Sequence, residues 1–468
     1  MINECHVAYT NDESWKRSRE LIYGILNCMG RHTVTGMLSA AGHQFQDWSS
    51  AYRLFSKNRI NIQDIMTVIQ SNVLKETTEC PNIIAHMDDT IIKKTGRKIP
   101  GTAWRRDPLG PAFHTNFIWG QRFIQVSMAL PIDGEIGRSR AIPVDFHHCP
   151  TALRPKKNAQ QQEVLQYKEE KKIAKLSKQG SERITLLRQN LDIQGAKDKQ
   201  LILSVDGSYT NSEVLKNLPQ RVTLIGRIRK DTKLFTIPQN QPLKGRKRIY
   251  GERLPTPEQI RQSDQYPWQK VNAWAAGKTH QFNVKVINNI RWKSAGQNHD
   301  LKLVVIRPLG YRLTKGSKLL YRQPAYLICT DEELNLQTLL QSYIWRWEIE
   351  VNIREEKSML GCGQAQVRNI KSAENVPAFI AATYALLHIA SYRAYQKSNN
   401  LTLPRPKWYQ NENKNRITTG DLLNNVRAHL HAKAVGINFD DFVNNYIRSQ
   451  SLQNRKTLHT LAPFYIRN

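Results

Sequence analysis

Residues 343–357 read YIWRWEIEVNIREEK, and four of their polar members are spaced to share one side of a helix. At about 100° per residue, Tyr343, Arg346, Glu350 and Lys357 fall at about 0°, −60°, −20° and −40°, a stripe roughly 60° wide. Ile344, Trp345, Ile349, Ile353 and Leu360 supply apolar contacts elsewhere on the same segment, so the helix can dock without spending the polar stripe. The pattern predicts a helix over residues 336–360, stopped by Gly361. Taken alone, Arg346 and Glu350 at i and i+4 are an ordinary ion pair on a solvated face. Their company upstream gives the stripe a chemical reading.

Working outward, two strand-like runs each end in an acid. Residues 82–87 are short and apolar and lead into Asp88 and Asp89; residues 201–205 are largely apolar and end at Asp206. An aspartate after a strand is most often a turn or cap residue. Here, however, the order strand–acid, meander, helix, strand–acid, late acidic helix matches a ribonuclease-H-like core, in which carboxylates of neighbouring strands meet at one sheet edge. Hard cations such as Mg²⁺ take oxygen ligands, and two of them about 3.5–4 Å apart can hold the attacking and leaving oxygens of an in-line phosphoryl displacement. Three converging carboxylates meet that need.

The spacing Tyr-x2-Arg-x3-Glu-x6-Lys, complete in residues 343–357, resembles the signature of insertion-sequence DDE transposases of the YREK group, which are cut-and-paste enzymes. MDDT at residues 87–90 and SVDGSYTN at 204–211 are also similar to that family. The resemblance spans about residues 80–370, and the N-terminal part is similar in character to the family's DNA-binding head. It implies that Asp88, Asp206 and Glu350 are the catalytic, metal-binding triad, holding two Mg²⁺ ions for which Mn²⁺ can substitute. The family pattern Asp-x-Thr is met by Asp88 and Thr90, and Asp88 directly follows the apolar strand; Asp89 is the alternative first ligand. Glu350 lies 144 residues after Asp206, a length that a β-rich insertion of the group accommodates. Arg346 and Lys357 would neutralise phosphate oxygens, Arg346 bidentately, and Tyr343 would hydrogen-bond a phosphate. Trp268, Trp274 and Trp292 are candidates to stack on an unpaired or flipped base during hairpin formation, which some relatives use. For Trp345 and Trp347 packing is the expected role of at least one. The implied partners are double-stranded DNA, as terminal inverted repeats and as target, and a second copy of the chain in a homodimer bound to two ends.

Charge agrees. Across 468 residues, 69 Lys and Arg against 39 Asp and Glu give a formal charge of +30, far beyond what solubility needs, which points to a polyanionic partner. Between Ile91 and Arg106 stand six bases (Lys93, Lys94, Arg97, Lys98, Arg105, Arg106) and no acid. Directly after the first acidic position, Lys93, Lys94, Arg97 and Lys98 are expected to track the DNA backbone. Six scattered cysteines without a CxxC pair suit a reducing cytosol, and the run His147, His148, Cys149 lacks the second cluster that zinc would need. No 18-residue apolar stretch or signal-like start occurs, so a cytoplasmic protein with no membrane partner, nucleoid-associated in a prokaryote, is expected.

The expected architecture is α/β: a ribonuclease-H-like catalytic core interrupted by a β-rich insertion, with helical N- and C-terminal parts. The boundaries read are a helical DNA-binding domain at 1–78, the core at 79–229 and 302–372, the insertion at 230–301 and a helical region at 373–468. Within the first part, helices at 18–29, 33–41 and 49–55, with Arg31, Thr33, Arg53, Lys57 and Arg59 exposed, suit a helix-turn-helix. Strands are expected at 113–119, 122–130, 222–228, 280–287, 302–306 and 325–329, one long polar helix at 158–191, and a polar linker at 396–416. Two competing functions share the sequence: a catalytically silent, transposase-derived DNA-binding regulator, and a ribonuclease-H-like nuclease without strand transfer. A non-catalytic descendant has no physical need for three convergent carboxylates.

Overall fold

The apolar run before Asp88 opens a twelve-residue strand, β1 (Asn82–Lys93), whose burial on both faces fits a central position in a sheet. In chain order, helices α1 (Asp12–Asn27), α2 (Val34–Ala40), α3 (Ser49–Ser56) and α4 (Ile62–Glu76) precede it. After it come β2 (Ala103–Arg106), β3 (Phe117–Pro131), β4 (Ser139–His148), α5 (Gln161–Ile173), α6 (Leu176–Ile193), β5 (Gln200–Val205), α7 (Ser212–Lys216) and β6 (Val222–Arg227). The chain continues through β7 (Leu234–Thr236), α8 (Pro257–Gln262), β8 (Gln269–Ala275), β9 (Lys278–Trp292), β10 (Leu301–Ile306), β11 (Gly310–Tyr311), β12 (Leu320–Tyr321) and β13 (Ala325–Cys329). Helices α9 (Leu336–Trp345), α10 (Trp347–Ser358), α11 (Ile370–Ser391) and α12 (Thr419–Ala434) follow. The computed structural model describes residues 1–396, 417–434 and 436, apart from 108–109, 112, 115, 240–244, 297–298, 313 and 315; the linker read at 396–416 therefore lies almost wholly outside the described residues. Two compact units divide the chain: Met1–Ile69 with Lys94–Pro100 and Ile353–Asn468, and Gln70–Lys93 with Gly101–Asn352.

The second unit is built on one large mixed sheet of order β2-β3-β1-β5-β6-β13-β10-β9-β7, with β4 on β3 and β8 on β9. Strands β4, β3 and β1 run antiparallel, while β1, β5 and β6 run parallel. The order β4-β3-β1-β5-β6 is compatible with a ribonuclease-H-like core. Strands β7, β8 and β9, within the segment read as an insertion, add to the same sheet rather than forming a separate one. Residues 113–119 and 122–130, expected as two strands, belong largely to the single strand β3. Gly120 looks like a break but is a close approach: a Cβ there would lie 2.5 Å from the Ile92 carbonyl oxygen. The polar helix expected at 158–191 is two helices. Within α5 no residue is buried, whereas α6 buries Ile184, Leu187 and Leu191, so packing aligns only the second.

In the first unit, α1 packs on α2, α3, α11 and α12, and α11 packs on α3. Thr33 caps α2 by accepting from Gly36 N, and Asp47 accepts from Ser49 N at the start of α3. α11 is buried along most of its length. Around it lies a polar network: Glu355 accepts from the hydroxyls of Tyr384 (2.7 Å) and Thr419 (2.6 Å), and Thr419 also meets His388 Nε2 at 3.1 Å. Gly361, at φ +61°, ends α10 as its sequence predicts. Among the described residues, no helix is long and apolar enough to cross a membrane.

Candidate active site

The site starts from strand register. Parallel pairing sets Met87 beside Val205, so Asp88 and Asp206 are the next residues on adjacent strands, whose axes are about 4.8 Å apart. Asp88 and Asp89, being consecutive, point to opposite faces of β1, and only one can share Asp206's face and the helix that covers it. The partners decide between them. Asp89 is committed on its own face: Arg122 Nε lies 3.3 Å from its Oδ2, and the buried Tyr209 hydroxyl donates to its Oδ1 at 3.3 Å. Asp88 Oδ1 accepts from the backbone N–H of Asp89 at 2.8 Å, and its Oδ2 lies 3.5 Å from Arg346 Nη1.

Arg346 is the hub. Its Nη2 donates to Glu350 Oε1 at 2.8 Å, so one guanidinium bridges Asp88 and Glu350, the fork geometry that only arginine provides. Its centre stands 5.8 Å from the Tyr343 ring. Helix geometry tightens at this residue: Arg346 N bonds Tyr343 O (3.2 Å) and Ile349 N bonds Arg346 O (3.1 Å), both three residues back, so the single helix expected at 336–360 is two segments joined at Arg346. Asp206 is held in a turn, accepting from Ser208 N at 2.9 Å and Ser208 Oγ at 3.1 Å, while Thr210 Oγ1 donates to its carbonyl at 2.7 Å. SVDGSYTN thus works as a unit, presenting Asp206 and sending Tyr209 under the strand to Asp89.

Electrostatics mark the pair as short of positive charge. Burial first, then the neighbouring Asp206, raise the Asp88 carboxyl from 3.8 to about 7, with Arg346 opposing. Burial likewise raises Asp89, against Arg122. Beneath Asp88, two residues back on the same face, His86 is fully buried and neither ring nitrogen has a hydrogen-bond partner. Burial, and secondarily Arg346, push its pKa down to about 3, so it is neutral. Its cross-strand neighbours are Ser127 and Ser204. Sequence reading passed over His86, although its position two before Asp88 on a strand was a usable signal.

A hard cation fits this donor set. Carboxylate oxygens are its ligands, and those of Asp88 and Asp206 stand side by side, with burial and then the neighbouring Asp206 already raising the proton affinity of Asp88. Among the described residues no three His, Cys, Asp or Glu side chains are gathered as a finished metal cage; Glu350 is turned to Arg346 instead, the positive charge that balances the acids here.

The remaining expected residues separate. Lys93 is 73% exposed, with Nζ 3.9 Å from Asp107, and Arg97 and Lys98 are exposed. Lys94 departs from its expected place on the surface. It is buried, its ammonium donates to the carbonyls of Gly363 (2.9 Å) and Ala365 (2.8 Å), and burial lowers it to about 8; it tethers a loop rather than facing solvent. Lys357 lies on the last turn of α10, past the division between the units. Trp345 is buried and donates to Gly137 O at 2.9 Å, a packing role, while Trp347 is exposed. Trp268 lies under Lys285 and Arg307. The Trp274 backbone is fixed to Gln341. Trp292 lines a cavity beside the Asp206 turn.

Two adjacent carboxylates at one sheet edge suit the metal-assisted chemistry of phosphoryl transfer, and the family comparison points to a nuclease-type enzyme. A model of the family described as DDE superfamily endonuclease matches residues 10–297, more than half of the chain, and the chain belongs to that family. The matched span contains Asp88 and Asp206 and ends before the helix of Glu350. No curated protein matches the chain significantly.

Proposed function

We propose that this endonuclease-family chain is a DDE transposase of the YREK group: it binds transposon ends, cuts DNA to free a 3′-OH and joins that end to a target. One observation carries the reading: Asp88 and Asp206 are neighbours across a parallel strand pair, and Arg346 ties Asp88 to Glu350. In this reading the core is ribonuclease-H-like, and Asp88, Asp206 and Glu350 hold two Mg²⁺ ions, with Mn²⁺ able to replace them. Such ions activate the attacking oxygen and stabilise the leaving one. The chain's own groups do the rest. Asp88, whose carboxyl is raised to about 7 by burial and by Asp206, is stabilised in its charged form by a neighbouring positive charge. Tyr343, Arg346 and Lys357 take phosphate oxygens near the cut, and Lys93, Arg97 and Lys98 follow the backbone of the duplex. Helices α2 and α3, with Arg31, Arg53 and Lys57 exposed, are the DNA-reading elements of a 1–78 head. The remaining divisions, 79–229, 230–301, 302–372 and 373–468, are core, insertion, core and C-terminal helices. Two copies bind two ends, in the cytoplasm and on the nucleoid in a prokaryote.

The test incubates purified protein and Mg²⁺ with DNA carrying the sequences that flank its coding region. The expected products are strands cut at inverted repeats with free 3′-OH ends, and joined molecules. Cutting without joining would leave a nuclease; metal-dependent cutting absent at every flanking sequence would refute the reading.

A further inference from the structure

The two strands that lead to the acids are apolar over their last five residues except at one position each. Within residues 83–87 that position is His86, and within 201–205 it is Ser204, each two residues before its aspartate. Register sets them side by side: His86 pairs with Ser204 on β5 and with Ser127 on β3. Cross-paired residues share a face of the sheet, so a polar row of Ser127, His86 and Ser204 lies directly beneath the row of Gln125, Asp88 and Asp206. Ser127, His86, Ser204 and Gln125 are all fully buried.

The helices that cover this face are polar at the same level. Ser342 stands with Ile84 in the wall of a cavity of about 30 Å³, and Arg346, one turn on, reaches Asp88. His86 lies between Ile84 and Asp88 on the same face of β1, beneath that turn, and the charge of Arg346 is felt at its ring. Farther along, Ser127 Oγ donates to Asn352 Oδ1 at 3.4 Å and receives Gln125 Nε2 at 3.2 Å. All of these residues belong to one compact unit.

Six buried polar atoms here have no hydrogen-bond partner among the described residues: both nitrogens of His86, Gln125 Oε1, Ser204 Oγ, Ser342 Oγ and Arg346 Nε. Folded chains leave few such atoms unpaired, because each has given up its bonds to water, and apolar side chains of similar shape would be buried at less cost. Arg346 Nε can only donate and Gln125 Oε1 can only accept, while a neutral imidazole and the two hydroxyls do both. Water matches that mixed pattern, and a buried water makes about three such bonds. The cavity at Ser342 has room for it, since one water occupies about 30 Å³ in the liquid.

We propose that His86 is a positioning residue of the acid site: water held by its ring, Ser204 and Ser342 accepts from Arg346 Nε and fixes the guanidinium whose other two nitrogens join Asp88 to Glu350. A guanidinium is planar, so holding Nε sets where Nη1 and Nη2 point. The role in cleavage rests on the nuclease reading above; the water bridge does not.

Two measurements separate them. A high-resolution crystal structure of the metal-free protein should show ordered water within hydrogen-bond distance of both Arg346 Nε and a His86 nitrogen; no water joining the two overturns the bridge. Single-turnover cleavage with Mg²⁺ at saturating DNA tests the role. His86→Leu should lower the rate about tenfold to a hundredfold with DNA affinity unchanged. Of His86→Asn and His86→Gln, whose amides place a donor and an acceptor near one or other ring nitrogen, at least one should recover most of that loss. In an Arg346→Ala background, His86→Leu should cost less than about threefold more, because no guanidinium is left to orient. A wild-type rate in His86→Leu, or a full second loss in the double variant, overturns the role. Should His86→Leu not fold, Ser342→Ala, which removes another group holding the water, takes its place with the same reading of outcomes. A wild type that cuts DNA no faster than His86→Leu leaves the nuclease reading standing and removes the role. A wild type that cuts no DNA removes the nuclease reading and the role together, and the density between His86 and Arg346 still upholds or overturns the bridge.

Discussion

Asp88→Asn should make the metal-free protein more stable at pH 8, although it removes a proposed catalytic ligand. The wild-type carboxyl is raised from 3.8 to about 7, burial and Asp206 being the causes. Between about pH 4 and pH 7 the folded chain therefore keeps a proton that the unfolded chain releases, and stability falls as pH rises through that window. At about 1.4 kcal/mol per pH unit, the rise from 3.8 to about 7 sets a ceiling of about 4 kcal/mol. The side chain is 18% exposed, and solvent reaching it lowers the expected gain to about 2–4 kcal/mol. Asparagine keeps the shape and carries no charge at any pH. Thermal unfolding in EDTA should then give equal Tm values for the two proteins near pH 4 and a variant several degrees higher at pH 8, at about 2–4 °C per kcal/mol for a unit of this size. Adding Mg²⁺ should raise the wild type more than the variant, because only the wild type offers the full ligand set. A variant less stable than wild type at pH 8 without metal, or a difference independent of pH, would show that Asp88 is an ordinary structural carboxylate.

Three further outcomes follow from named contacts. Arg346→Lys should fail to restore the cleavage lost in Arg346→Ala, because one ammonium cannot donate separately to Asp88 and Glu350; equal rates for lysine and arginine in single-turnover cleavage would contradict the bridge. Lys94→Met strands two buried carbonyls, at Gly363 and Ala365, and should cost about 1–3 kcal/mol in denaturant unfolding while leaving the salt dependence of DNA binding unchanged. A shallower salt slope would instead make Lys94 a phosphate contact. Gly180→Ala places a methyl 2.7 Å from the Tyr209 ring and should destabilise by about 1–3 kcal/mol, with a neutral thermal shift as the refuting result.

The stripe of Tyr343, Arg346, Glu350 and Lys357 was read from helical period, which converts spacing into direction, and of its members Arg346 meets both Tyr343 and Glu350. Which of Asp88 and Asp89 faces that helix was not legible, since strand alternation allows either; Arg122, Tyr209 and Arg346, distant in sequence, decide it. Strand β4 escaped notice because Pro143 and Asp145 interrupt its pattern. Among the described residues it pairs only with β3, with a register irregularity opposite Val126 and Ser127, where an edge strand tolerates proline. Lys94 looked like part of an exposed run because charge alone carries no facing; only the carbonyls of Gly363 and Ala365, some 270 positions later, show that it turns inward.

The most direct test of the three-acid site is single-turnover cleavage of end-containing DNA with Mg²⁺ by a Glu350→Gln protein, with DNA binding measured alongside. Glutamine preserves the helix and its length but removes the charge, so cleavage should fall well beyond the roughly 10–100-fold loss typical of residues that merely support a ligand, with binding retained. Cleavage at the wild-type rate would contradict the assignment.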